Sequence, residues 1–177
     1  GDSITYKHAL EELLYFSGNP NDAPTAAWGF YVYNPNMGIT TLKQTFSSEP
    51  RYLEALDNLL YFSVNGVLHS YDPSADALNS ISSVSSALFL HAMDGKLYFY
   101  GGDGLYSYDP SGGSTVKLSP MSLSSITSHE GKLYFNGYDG SSTEMRVYDP
   151  TTGLVSDVVG ADLHSAATHP SELHALS

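Results

Sequence analysis

The sequence predicts an all-β fold made of four copies of one four-stranded antiparallel unit. Three observations carry that reading: two short motifs recur in register, the strands between them are apolar on both faces, and turn residues punctuate them at regular intervals. The first motif is Leu14-Tyr15-Phe16, Leu60-Tyr61-Phe62, Leu97-Tyr98-Phe99 and Leu133-Tyr134-Phe135, with leucines 46, 37 and 36 residues apart. The second follows each time: Tyr33-Asn34-Pro35, Tyr71-Asp72-Pro73, Tyr108-Asp109-Pro110 and Tyr148-Asp149-Pro150.

The third copy shows the unit most plainly. Leu88 to Met93 forms a first strand, Asp94-Gly95 a tight turn, Lys96 to Tyr100 a second strand, and Gly101 to Gly104 a loop. Leu105 to Tyr108 is a third strand. Asp109-Pro110 opens a turn through Gly112-Gly113, and Ser114 to Leu118 closes the unit as a fourth. The Asp or Asn before each proline is a turn cap, because its side chain can bond the backbone two residues on.

Side chains alternate along a strand, so Leu97 and Phe99 face one way and Tyr98 and Tyr100 the other. Both faces are apolar, and such a strand needs cover on both sides. Neighbouring sheets packed face to face supply it, which makes the units blades of a β-propeller. A β-sandwich is the alternative, but it does not require a repeated motif.

In the same copy, Gly95-Lys96-Leu97-Tyr98-Phe99-Tyr100-Gly101-Gly102 followed by Leu105-Tyr106-Ser107-Tyr108-Asp109-Pro110 resembles a Kelch repeat. The Leu-Tyr-Phe and Asp-Gly spacing is also similar to repeats of large bacterial extracellular proteins. Two departures from Kelch stand out: the double glycine occurs only in copy three, and no tryptophan follows the Tyr-Asp-Pro turn. The resemblance implies a propeller and, loosely, protein or ligand binding, and it carries over no catalytic residue.

The repeats run approximately over 3–48, 49–85, 86–121 and 122–168, with the start of a fifth at 169–177, within one propeller domain or fragment spanning 1–177. Aligned on the first motif, His8 corresponds to Glu54, His91 and Thr127, and His174 to the same position of the fifth copy. Four blades plus a surplus first strand fit either a closed small ring with one displaced terminus or part of a larger propeller. Gly1 reads as a processing boundary.

Composition limits the partners. The chain has 177 residues, Lys+Arg 7 against Asp+Glu 19, a formal charge of -12, and no cysteine. Scattered cations on an acidic chain argue against nucleic acid. The lack of cysteine removes disulfides, thiolate metal sites and a Cys nucleophile. No stretch reaches the roughly 20 apolar residues of a membrane helix, so membrane insertion is not expected.

Loop lengths point to one face. Turns between first and second strands stay short at Glu11-Glu12, Asp57-Asn58, Asp94-Gly95 and Glu130-Gly131, whereas the distance from the Leu to the Tyr anchor is 19, 11, 11 and 15. All that variation lies in the second-to-third loop. Copy one inserts Asn19 to Trp28, with the only tryptophan, copy four inserts Tyr138 to Thr143, and the 160–170 connection joins the same side. One-sided insertion marks a binding face, so Asp22, Trp28, Tyr138, Asp139 and His164 form the expected partner-binding patch. Trp28 equally fits a role covering the core beneath its loop.

Two metal readings are weighed. His8, His91 and His174 recur at one innermost-strand position, interrupted by Glu54 and Thr127, which suits either a cation site or a half-polar channel wall. Asn136-Gly137-Tyr138-Asp139-Gly140 with Glu144, and Asn19-Pro20-Asn21-Asp22, offer oxygen ligands for calcium but lack the alternating acidic ladder of a calcium loop, which favours turn formation. His8, His91, His174, Asn136 and Asp139 are thus metal candidates without a metal assignment.

Catalysis has no motif behind it. Arg51 and Arg146 are the only arginines, too few for a sialidase-type cluster, no Asp-box appears, and no Gly-x-Ser-x-Gly setting activates a serine. The expected function is a non-enzymatic binding or adhesion module, extracellular or at the cell surface, contacting a protein or glycan through the long-loop face. One alternative is a structural, self-assembling repeat of a larger surface protein, paired as a homo-oligomer through unpaired blade edges. The other is a small hydrolase or lyase using the axial cleft.

Overall fold

The computed structural model describes residues 3–19, 27–81, 84 and 86–158. They divide into two compact units, Gly1–Leu88 and Phe89–Ser177.

In the first unit, β1 (Ser3–Leu10), β2 (Leu13–Asn19), β3 (Trp28–Asn34) and β4 (Ile39–Phe46) make one sheet in sequential order. A second consists of β5 (Pro50–Leu56), β6 (Leu59–Val64), β7 (Val67–Asp72) and β8 (Ala77–Ile81). The other unit repeats the plan, with its boundary at the start of β9 (Leu88–Met93), followed by β10 (Lys96–Tyr100), β11 (Leu105–Asp109) and β12 (Ser114–Ser119). Its second sheet comprises β13 (Ser122–His129), β14 (Lys132–Tyr138), β15 (Thr143–Asp149) and β16 (Leu154–Asp157). Each is an antiparallel meander, and no helix occurs among the described residues.

Turn chemistry explains the sheets. The four first turns each put a residue in the left-handed region, and three put both there: Asp57 and Asn58 (φ 51 and 62), Asp94 and Gly95 (50 and 73), Glu130 and Gly131 (49 and 71). That is the two-residue hairpin geometry whose twist matches the flanking strands. At the other turn the carboxylate or amide before proline accepts backbone N–H groups. Asn34 Oδ1 accepts from Asn36 at 2.9 Å, Asp72 Oδ1 from Ser74 at 2.8 Å, Asp109 Oδ1 from Ser111 at 2.9 Å and Asp149 Oδ1 from Thr151 at 2.8 Å. These turns close on Gly38, Asp76, Gly113 and Gly153, all at positive φ.

The sheets of each unit pack face to face. In the first, Tyr15, Phe30 and Val32 meet Leu53, Leu60, Phe62, Val64 and Tyr71. Phe30 stacks on Phe62 at 4.8 Å and meets Tyr71 edge-on at 5.3 Å, arrangements the ring quadrupole favours. In the second, Met93, Tyr98 and Leu105 meet Leu123, Leu133, Phe135 and Tyr148.

The expected burial of second strands on both faces holds for β6 and β10, where Leu60 to Val64 and Leu97 to Phe99 are all buried. It does not extend to β2 and β14. There Leu14, Phe16 and Tyr134 are only partly buried while Tyr15, Leu133 and Phe135 are buried, so one face carries the packing. The loop in copy four is also shorter than the inserted span suggested, because Tyr138 ends β14 and Thr143 begins β15.

Substituting Phe62→Ala removes a fully buried ring and should lower stability by about 3–5 kcal/mol. Leu154→Ala, at a side chain 66% exposed, should stay within about 0.5 kcal/mol. Urea midpoints of the two variants against the parent test the assignment of core and surface, and a shift for Leu154→Ala as large as for Phe62→Ala would refute it.

Candidate functional site

The connection from β12 to β13 and the loop from β14 to β15 emerge on one side of the second unit. Between them lies an open cavity of about 580 Å³ lined by Ser119, Pro120, Met121, Ser122, Tyr138, Asp139, Gly140, Arg146 and Val155. Two residues of the expected patch, Tyr138 and Asp139, therefore stand together on its wall. Register builds the site: Ser122 pairs with Tyr138, Phe135 with Arg146, and Arg146 with Asp157.

Tyr138 is the last residue of β14 and 46% exposed. Its hydroxyl donates to Gly140 O at 2.8 Å, which fixes the ring beside the cavity. The equivalent tyrosine in the preceding sheet, Tyr100, makes the same bond to Gly102 O and approaches Ser122 Oγ at 3.5 Å. Both loops close alike, with Gly101 N donating to Gly104 O at 2.9 Å and Asp139 N to Ser142 O at 3.3 Å.

Asp139 is fully engaged. Its Oδ1 accepts from Ser141 Oγ at 2.7 Å, Ser141 N at 2.8 Å and Ser142 N at 3.0 Å, and its Oδ2 from Arg146 Nη2 at 3.0 Å. The Ser141 hydroxyl, then the loop amides and Arg146, hold its carboxyl well below the usual range, so it stays ionised. Asp139 thus serves the turn.

Arg146 was not singled out from the sequence. Its side chain is 11% exposed and faces three carboxylates: Asp139, Glu144 at 3.6 Å, and Asp157. Its Nε is buried and has no acceptor. Gly137 makes room for it, since a Cβ there would lie 2.6 Å from Arg146 Cγ and 2.4 Å from Met121 Sδ. A lone arginine in mid-strand carries no motif. Only the pairing of β15 with β16 and the folding back of the loop bring its partners together.

The remaining expected residues divide. Trp28 begins β3 in the first unit, half-buried and paired with Phe46. Asp22, His164 and His174 lie outside the described residues. His8 on β1 belongs to the first unit and His91 on β9 to the second. Burial lowers the pKa of both, opposed at His8 by a hydrogen bond with the Leu53 backbone. Among the described residues no three His, Asp or Glu side chains converge as a metal cluster. Asn136 is buried beneath the loop.

The first strands of the sheets hold a feature absent from the sequence reading. Tyr52, Phe89 and Ser125, each two residues before the Glu54, His91 and Thr127 position, adopt φ 56, 54 and 54. Register shifts fall there between Arg51 and Glu54 and between Ser124 and Ile126. Those at Tyr52 and Ser125 are β-bulges, which re-aim the following side chains. A bulky aromatic at positive φ is a rare conformation, and neither Tyr52, Phe89 nor Ser125 announces it in the sequence.

Comparison with known proteins follows from this architecture. The chain aligns over 87% of its length with the extracellular domain of BT4673 from B. thetaiotaomicron, assigned to a one-component system, at 17% identity and a TM-score of 0.64. These sheets are β-propeller blades. An oligogalacturonate lyase in complex with manganese aligns over 83% at 13% identity and a TM-score of 0.65, and the extracellular domain of BT3049, from a hybrid two-component system of the same organism, over 86% at 12% and 0.63. The chain spans 22% of the BT4673 domain, 50% of the lyase and 23% of the BT3049 domain. No family model and no curated relative matches, so the likeness is one of fold.

Glu54 supplies a test of β5. Burial raises its pKa from 4.5 to about 7, so the folded state binds the proton more tightly than the unfolded chain. Stability is then highest below the unfolded value and falls as pH rises through about 7. Glu54→Gln should match the parent near pH 4 and exceed it near pH 8 in urea-unfolding midpoint, and an equal gap at both pH values would disprove the account.

Proposed function

We propose that this chain is an extracellular, non-enzymatic binding module that contacts a glycan or protein through the cavity beside Tyr138. The observation that carries the reading is the pinned, exposed Tyr138 ring on the wall of a 580 Å³ opening that the buried Arg146 also lines. Sites for small ligands combine such apolar surface with a few fixed polar groups, at volumes of about 300–1,000 Å³. Tyrosine suits the task because a rigid ring offers contact area at little conformational cost. The similarity to extracellular domains of BT4673 and BT3049 supports an extracellular place and a binding role.

Catalysis is the weaker reading, since the hydroxyls bonded to carboxylates here, Ser141 with Asp139 and Ser142 with Glu144, serve the loop and no motif of the sequence activates them. Self-assembly has one observation in its favour. Ile39 and Leu42 on the sheet-edge strand β4 are each 49% exposed, and Met37 in the preceding turn is 68% exposed. An edge of that kind can pair with a second copy, and light scattering across a concentration series would detect it.

The binding reading is tested by screening the purified chain on glycan arrays and in protein pull-downs beside Tyr138→Ala and Trp28→Ala. Tyr138→Ala should weaken a genuine hit by at least about tenfold, as removal of an anchoring aromatic does, while melting temperature stays unchanged. Hits retained in full by Tyr138→Ala would dismiss this cavity, and loss only with Trp28→Ala would move the site to the first unit.

A further inference from the structure

The electrostatics of this cavity constrain what it can hold. Among the described residues its wall contains one cation, Arg146, and that guanidinium is already shared among Asp139, Glu144 and Asp157. Two carboxylate charges remain uncompensated beside the opening, in a chain whose formal charge is -12. Arg146 is held inward, only 11% exposed, so it cannot swing out to form the bidentate pair by which arginine recognises a carboxylate or sulfate. An anionic ligand meets repulsion here with no free cation to answer it.

The groups that remain available are of another kind. The Tyr138 ring is apolar, and its hydroxyl is committed to Gly140. Ser122 is exposed on the rim and Pro120 is exposed beside it, while Glu144 is paired with Arg146, with Ser142 Oγ donating to it at 2.9 Å. A flat apolar ring and a hydroxyl match the face of a pyranose, with its C–H groups on one side and hydroxyls at its edge. Tyr100, reaching Ser122 Oγ at 3.5 Å, extends the same edge.

From this we infer that the cavity selects a neutral oligosaccharide and rejects uronic-acid or sulfated ones. The inference rests on the binding-module reading and adds the ligand class. It sets this chain apart from the oligogalacturonate lyase that shares its fold, because a polyanion finds no cation free to receive it.

Calorimetric titration of the purified chain with cellohexaose, xylohexaose and mannohexaose, and separately with hexagalacturonate, decides the matter. At least one neutral hexasaccharide should bind, should lose about tenfold or more in Tyr138→Ala, and should bind within about threefold of the parent in Tyr138→Phe, which keeps the ring. Hexagalacturonate should bind at least about tenfold more weakly at low salt. The gap should shrink at about 1 M salt, where the screening length is about 3 Å, and also in Glu144→Gln. Hexagalacturonate binding as tightly as the neutral sugars, yet still lost in Tyr138→Ala, would overturn the charge argument and leave the binding site standing. A gap unmoved by salt and by Glu144→Gln would overturn it as well. Failure of every sugar to bind would overturn the inference and leave the site to the protein pull-downs, whereas sugar binding indifferent to Tyr138→Ala would bring down the site itself and the inference with it.

Discussion

Leu60, Tyr61, Phe62, Ser63 and Val64 form a strand with no face that water reaches. Burying a strand this way requires that every backbone group be paired along the ladder and that each face be met by another apolar surface. The antiparallel meander meets the first demand by placing a strand on either side, and the stacked sheet meets the second on the face of Leu60, Phe62 and Val64 through Phe30, Tyr15 and Val32. In the first unit large rings span the gap between the sheets, Tyr15 meeting Tyr71 and Phe30 meeting both Phe62 and Tyr71. Loops and outer strands are arranged around this constraint and are free of it themselves.

That freedom is what the cavity exploits. The β6 to β7 connection needs only Asn65 and Gly66, at φ 50 and 81, to reverse the chain. The β14 to β15 connection spends four residues to do the same, and the surplus carries Asp139 back over Arg146. Because the loop amides and Ser141 satisfy Asp139 before any ligand arrives, the ring of Tyr138 and the inward set of Arg146 are fixed in advance. Little ordering is left for binding to oppose.

The repeat could be read from sequence because its anchors are chemically distinctive and evenly spaced. Leu-Tyr-Phe marks a strand needing cover, Tyr-Asp-Pro marks a capped turn, and both have local causes. Tyr138 and Asp139 were also within reach, since a longer loop shows as a longer spacing. Arg146 was not, because its meaning comes from Asp157 across a strand pair and from Asp139 and Glu144 on either side of a loop. The positive φ of Tyr52, Phe89 and Ser125 was hidden for a different reason. Positive φ is ordinarily announced by glycine or asparagine, and here a tyrosine, a phenylalanine and a serine adopt it. One-sided cover of β2 and β14 was equally hidden, since Leu14-Tyr15-Phe16 and Leu133-Tyr134-Phe135 carry the same letters as the strands buried on both faces.

Asp76 stands where the other three turns have glycine. Its Oδ1 accepts from Tyr71 Oη at 2.6 Å and from Lys43 Nζ of the adjoining sheet at 2.9 Å. An exposed ion pair of this sort contributes little to stability. Its value lies in recognition during folding. A polypeptide that carries four nearly interchangeable strands at each rank runs the hazard of docking one against the wrong mate, as tandem repeats do. Lys43 with Asp76 joins copies one and two, while Lys117 with Asp103 and Arg146 with Asp157 lie within copies three and four. Where the copies have drifted apart, they have gained individual addresses, and the irregularities of the repeat become the means by which each strand finds its own place.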